Sequence, residues 1–191
     1  MSGILGALIG SYKPAATSSF ESIATVTAAG GETSISFTSI PSTYKHLQIR
    51  GLAKDTTNNS DDAGYSIRFN SDTGSNYAMH RLRADGTNIV AGGNANQSSM
   101  SLSYGAVASA SGVANMFGVS IVDIHDYAST TKNKTMRAFS GSNINSTGTT
   151  TGIALDSGLW MNTNAITSIT LLPDLTAFAA GSTFALYGIK G

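Results

Sequence analysis

Hydrophobic and polar positions alternate with a period of two along much of the chain, most legibly between Ala114 and Gly141. Phe117, Val119 and Ile121 interleave there with Gly118, Ser120 and Val122. After a polar tip from Tyr127 to Lys132, Thr135, Arg137 and Phe139 interleave with Lys134, Met136 and Ala138. Successive side chains of a strand point to opposite faces, so the pattern predicts an antiparallel hairpin with one face of each strand to be covered. Only further short β-rich runs are available as cover, which predicts a two-layer β structure with this hairpin at its centre.

The same signals divide the remaining chain. Phe20 to Ala28 and Thr33 to Phe37 flank a Gly30-Gly31 turn, and Pro41 marks the corner before a strand over His46 to Lys54 in which Leu47, Ile49 and Gly51 share a face. Asp55 to Gly64 reads as a loop, Tyr65, Ile67 and Phe69 as one face of a strand, Asn70 to Asn76 as a turn, and Tyr77 to Arg83 as the return strand. Asp85-Gly86 signals a tight turn, and Gly92-Gly93 also reads as a turn. Within the small-residue tract from Ala91 to Ser111, Met100, Leu102 and Tyr104 share a face of one more strand. A polar tip at Ser142 to Thr151 precedes strands over Gly152 to Trp160, Ala165 to Leu172 and Thr183 to Lys190. With about ten short, evenly spaced strands and scarce helix, residues 20–191 are expected to form a single all-β domain, an antiparallel β-sandwich of jelly-roll type.

Residues 1–19 differ from everything that follows. Met1 to Gly10 is apolar and uncharged, lacks the basic opening of a secretory signal, and falls short of the roughly 18 to 20 residues needed to span a bilayer. Ile4 with Leu8 and Leu5 with Ile9 have helical spacing, but three glycines oppose an isolated helix, so order is expected only on docking. Ile4, Leu5, Leu8, Ile9 and Tyr12 are therefore the expected docking residues of an arm that inserts into a neighbouring subunit; the plainer reading is a terminus folded on its own domain. A linker from Ala15 to Ser19 joins it to the sandwich.

Composition narrows the partners. The 191 residues carry 11 basic and 11 acidic side chains, so no net field draws the chain to nucleic acid or to an anionic membrane. Charged residues make up only 12% of the chain, whereas Ser, Thr and Asn number 27, 22 and 13, which predicts polar, uncharged surfaces with little electrostatic protection against self-association. The absence of Cys excludes disulfides, thiolate nucleophiles and Cys metal sites.

Candidate chemistry is sparse. His46, His80 and His125 lie in separate segments without metal-binding spacing. Asp123, His125 and Asp126 form the best local set for a divalent cation, followed by Asp55, Asp61 and Asp62 in a polar loop; ordinary solvated side chains are the plainer reading of both. No G-x-S-x-G elbow or phosphate loop occurs, so neither an enzyme nor a cofactor is expected. Trp160, Tyr65, Tyr77, Tyr104 and Tyr127 suit either a sandwich core, the commoner use, or a glycan-stacking platform. A glycan-degrading enzyme needs two carboxylates facing each other at about 5 to 10 Å.

Four stretches carry a resemblance: FTSIPSTYKHLQIRGLA from Phe37, FNSDTGSNY from Phe69, IHDYASTTKNKT from Ile124 and the closing GSTFALYGIKG from Gly181. In this order they resemble structural proteins of tailed bacteriophage virions. The resemblance implies a jelly-roll or sandwich module on the particle surface, commonly a homotrimer, serving as a head decoration or cement protein. The alternative is a tail-fibre module that binds a receptor or host surface glycan. The implied partners are further copies of the chain and other virion proteins, such as the major capsid protein or a tail protein.

Overall fold

The computed structural model describes residues 18–57, 63–110, 113–143 and 152–191, without the side chains of residues 103 and 104. They form β1 (Phe20–Thr27), β2 (Ile35–Phe37), β3 (His46–Ala53), β4 (Ala63–Phe69), β5 (Tyr77–Ala84) and β6 (Ile89–Gln97). There follow β7 (Met100–Val107), β8 (Gly118–His125), β9 (Lys134–Gly141), β10 (Ile153–Trp160), β11 (Ile169–Pro173) and β12 (Thr183–Ile189). No helix occurs among the described residues. The strands pair antiparallel in an eight-stranded sheet of order β1, β12, β3, β8, β9, β10, β5, β6 and a four-stranded sheet of order β2, β11, β4, β7. This two-layer arrangement is consistent with a β-sandwich, and the expected hairpin, β8 with β9, lies at the middle of the larger sheet.

The pairings are nested. β1 pairs with β12, β2 with β11, β3 with β8 and β4 with β7, so the first four strands run against later ones in reverse order. β5–β6 and β9–β10 are inserted into this ribbon and, through the β10–β5 pairing, extend the large sheet by four strands.

Both sheets fill the space between the layers, the large one with Leu47, Ile49, Tyr77, Val122, Ile124, Met136, Trp160, Phe184 and Leu186, and the small one with a comparable set. Ile35, Phe37, Tyr65, Ile67, Phe69, Met100, Leu102, Ile169 and Leu171 are all buried. Opposite them, the large sheet also presents small or polar residues: Gly51, Gly118, Ser120, Ala138, Ser140, Ala154 and Gly158. Close approach requires this. A Cβ on Gly118 would lie 2.4 Å from the Gly105 carbonyl oxygen, and one on Gly158 would lie 2.4 Å from Met100 Sδ. Tyr65 stacks edge-on against Phe184 at 5.4 Å and shares a 2.9 Å hydrogen bond with Ser120 Oγ, which gives the buried phenol a polar partner. Tyr77 stacks on Trp160 at 6.2 Å, and Trp160 Nε1 donates to Asp72 at 2.8 Å. Lys134, also buried, donates from Nζ to the carbonyls of Lys132 and Thr163 and so ties down the β8–β9 tip.

Two sequence expectations change, and the Gly30-Gly31 turn holds. Twelve strands are present among the described residues rather than about ten; the small-residue tract supplies β6 as well as β7. Gly92 and Gly93 are not a turn but part of β6, facing Arg81 and His80; a Cβ on Gly93 would lie 2.6 Å from the His80 ring, which would have to move aside. Gly30-Gly31 does turn the chain, both residues having positive φ, but it passes β1 and β2 to different sheets rather than joining a pair.

Candidate assembly surface

The outer face of the large sheet inverts the usual pattern. Across β3, β8, β9, β10, β5 and β6, consecutive partners form the row Arg50, Ile121, Phe139, Leu155, Leu82 and Ala91. A second row, one pleat away, runs through Leu52, Val119, Gly141, Ile153, Ala84 and Ile89. Ile121, Leu82, Phe139 and Leu155 are 44 to 54% exposed and Ile89 is 79% exposed. The first row, from Ile121 to Ala91, lines a concave groove of about 880 Å³ with His80, Asp123 and Arg137 at its margin. A neighbouring concavity of about 820 Å³ shares Phe139 and adds Val119, Ile153 and Phe117.

Polar residues border this face. The next row is Gln48, Asp123, Arg137, Ser157, His80 and Gly93, in which Asp123 accepts from Gln48 Nε2 at 2.8 Å and from Arg137 Nε at 3.1 Å. The outer face of the small sheet is polar: Ser36 and Thr170 share a 3.1 Å hydrogen bond, and Arg68 faces Thr170 from β4. β6 ends the large sheet with all nine residues exposed, and it contains neither a charge nor a proline to discourage pairing at its free edge.

The predicted chemical sets behave differently from one another. Asp123, His125 and Asp126 do not form a cation site, and both carboxylates are taken by basic side chains, Asp123 by Arg137 and Asp126 by two lysines. Asp126 lies 2.7 Å from Lys132 Nζ and 3.1 Å from Lys45 Nζ, and these two ammonium groups hold its carboxyl down at about 2. His46 and His125 meet edge-on at 5.0 Å, and the Asp126 backbone N–H donates to His46 Nδ1 at 3.0 Å. Burial, and then the neighbouring His125, lower the His46 pKa below its usual 6.5. His80 lies apart on β5. Asp55 is buried and accepts from the Thr57 N–H, while Asp61 and Asp62 lie outside the described residues. Among the described residues no group of three or more His, Cys, Asp or Glu side chains is placed to hold a metal ion.

Beneath the groove, Asp156 faces inward and pairs with Arg81 Nε at 3.0 Å; burial pushes its carboxyl pKa up. Trp160, Tyr65, Tyr77 and Tyr127 are all buried, so they serve as core rather than as a glycan platform, and the Tyr104 side chain lies outside the described residues. So do the expected docking residues Ile4, Leu5, Leu8, Ile9 and Tyr12.

Sequence reasoning missed the role of β10 and β5. The available signal was Ile153 and Leu155 alternating with Ala154, Asp156 and Gly158, a strand whose larger apolar side chains stand opposite a small-residue face. No family model matches the chain, and neither a curated protein nor a solved structure does.

Proposed function

We propose that the chain is a structural protein of a phage virion surface, a head decoration or cement protein that acts by non-covalent assembly rather than catalysis. The observation that carries this reading is the apolar face on the large sheet, whose rows run without a charge from Ile121 to Ala91 and from Leu52 to Ile89. Monomers rarely leave contiguous apolar patches beyond a few hundred Å² exposed, and larger ones mark interaction sites. The nested ribbon supports the jelly-roll part of the reading. Without the two inserted hairpins, the order β1, β12, β3, β8 facing β2, β11, β4, β7 is that of one long antiparallel ribbon wrapped into two sheets, an architecture common in capsid and lectin domains. The insertions carry most of the apolar face, so function sits on an addition to a general scaffold.

In this reading the partners are further copies of the chain, in a homotrimer, and a capsid or tail protein engaged by the arm through Ile4, Leu5, Leu8, Ile9 and Tyr12. Mapping of intact particles tests the location. Copies around capsid symmetry axes are expected; six or twelve copies at the tail would favour the fibre alternative, and absence from the virion would remove both. Deleting Met1 to Gly10 is expected to leave the domain folded and to weaken its incorporation into particles.

A further inference from the structure

We propose that the outer face of the large sheet is covered by the same face of a second copy of this chain, the rows through Leu155 and Ile153 forming the centre of the contact. This rests on the self-association reading above but sets a different stoichiometry for this surface: a face that meets its own copy closes a two-fold pair, so the contact forms a dimer rather than the trimer.

Area, charge and placement support a second copy as the occupant. Six strands at about 4.8 Å and three outward positions at about 6.8 Å, the two apolar rows and the polar row that borders them, give a face of roughly 29 by 20 Å, about 580 Å². Two such faces in contact bury on the order of 1,200 Å², which reaches the lower end of stable protein interfaces. From Ile121 to Ala91 and from Leu52 to Ile89 the rows contain no charge, so an identical face meets no repulsion at the centre. The charges stand at the margin, where Arg137 is already paired with Asp123. An apolar centre with a polar rim is the ordinary anatomy of such contacts. Sheets also pack face to face readily, with their strands aligned or crossed.

The small sheet offers no comparable surface, because Ser36, Thr170 and Arg68 occupy its outward positions. The large sheet, in turn, cannot hide its apolar rows by a one-residue slip. Such a slip would drive Phe139 and Leu155 into space that Gly118 and Gly158 already find tight.

The test is the mass of the full chain, 19.6 kDa as a monomer, by light scattering and sedimentation velocity across the micromolar range. The wild type is expected to associate. Phe139→Lys with Leu155→Lys is expected to raise the dissociation constant at least a hundredfold while keeping the β-sheet circular dichroism spectrum, and Ser36→Lys with Thr170→Lys is expected to leave association unchanged. If the double variant does not fold, Leu155→Ser carries the same test, with an expected tenfold weakening. A face variant that associates as strongly as the wild type overturns this assignment and leaves the self-association reading standing. A monomeric wild type overturns both. Loss of association on deleting Met1 to Gly10, with the face intact, would make the arm the occupant and overturn the second-copy proposal.

Discussion

The two faces of β8, β9 and β10 belong to the same backbone and differ along part of their length. Inward stand Gly118, Ser120, Ala138, Ser140, Ala154, Asp156 and Gly158 beside Val122, Ile124, Met136 and Trp160; outward stand Val119, Ile121, Phe139, Ile153 and Leu155 beside Asp123, His125, Thr135, Arg137 and Ser157. Over residues 118–121, 138–141 and 153–156, hydrophobicity alone would turn the strands over. They are not turned over, because the inner face must fit beneath β7 and β4, whose Met100, Leu102 and Tyr65 already fill the space between the sheets. Burial here follows the room left by the opposing layer, and the apolar surplus is left for a partner.

The inner face should be the less tolerant one. Gly118→Val places a branched side chain against the fixed backbone of Gly105 and Ala106 and should cost about 3 kcal/mol or more, read as a fall in the urea midpoint at unchanged slope. Ser120→Ala removes the hydroxyl partner of buried Tyr65 and should cost about 1 to 3 kcal/mol, whereas a neutral result would show that the phenol finds another partner.

The margin of the outer face adds a pH dependence. Since the native pKa of His46 lies below 6.5, its contribution to stability is present above that value and lost as pH falls through the native pKa. Protonation at Nδ1 also removes the acceptor for the Asp126 N–H. The urea midpoint should therefore decline from pH 7.5 to 5, and His46→Gln should flatten that part of the decline. The smallest effect is expected outside. Val119→Thr, one residue from Gly118 but half exposed, should change monomer stability by no more than about 0.5 kcal/mol, so a large loss there would mean that the outer face supports the fold itself.

Much of the fold was legible, and the reason is local. Alternation and a polar tip suffice to identify β8 and β9, and the Asp85-Gly86 signal works because Asp85 Oδ1 accepts from the Thr87 and Asn88 N–H groups. Which face is buried was not legible, since the constraint on Gly118 comes from Gly105, on another strand of the other sheet. For the same reason Gly92-Gly93 imitates a turn: the His80 ring beside Gly93 reaches it only through the β5–β6 pairing. Trp160, Tyr65, Tyr77 and Tyr127 are core, the commoner of the two uses expected of them, and in the cation set around Asp123 the carboxylates are taken by Arg137, Lys45 and Lys132, whose approach depends on tertiary structure.

The nested ribbon also sets an order of events in time. Thr27 and Thr183, bonded at 3.1 Å across the outermost pair, are 156 residues apart, whereas the hairpins β5–β6, β8–β9 and β9–β10 join neighbours in sequence. Loop closure favours the local pairs first, so the apolar rows can assemble while the ends of the chain are still searching for each other. Refolding should therefore be slow, and its yield should fall as protein concentration rises, because the surface meant for a finished partner is offered early to unfinished ones.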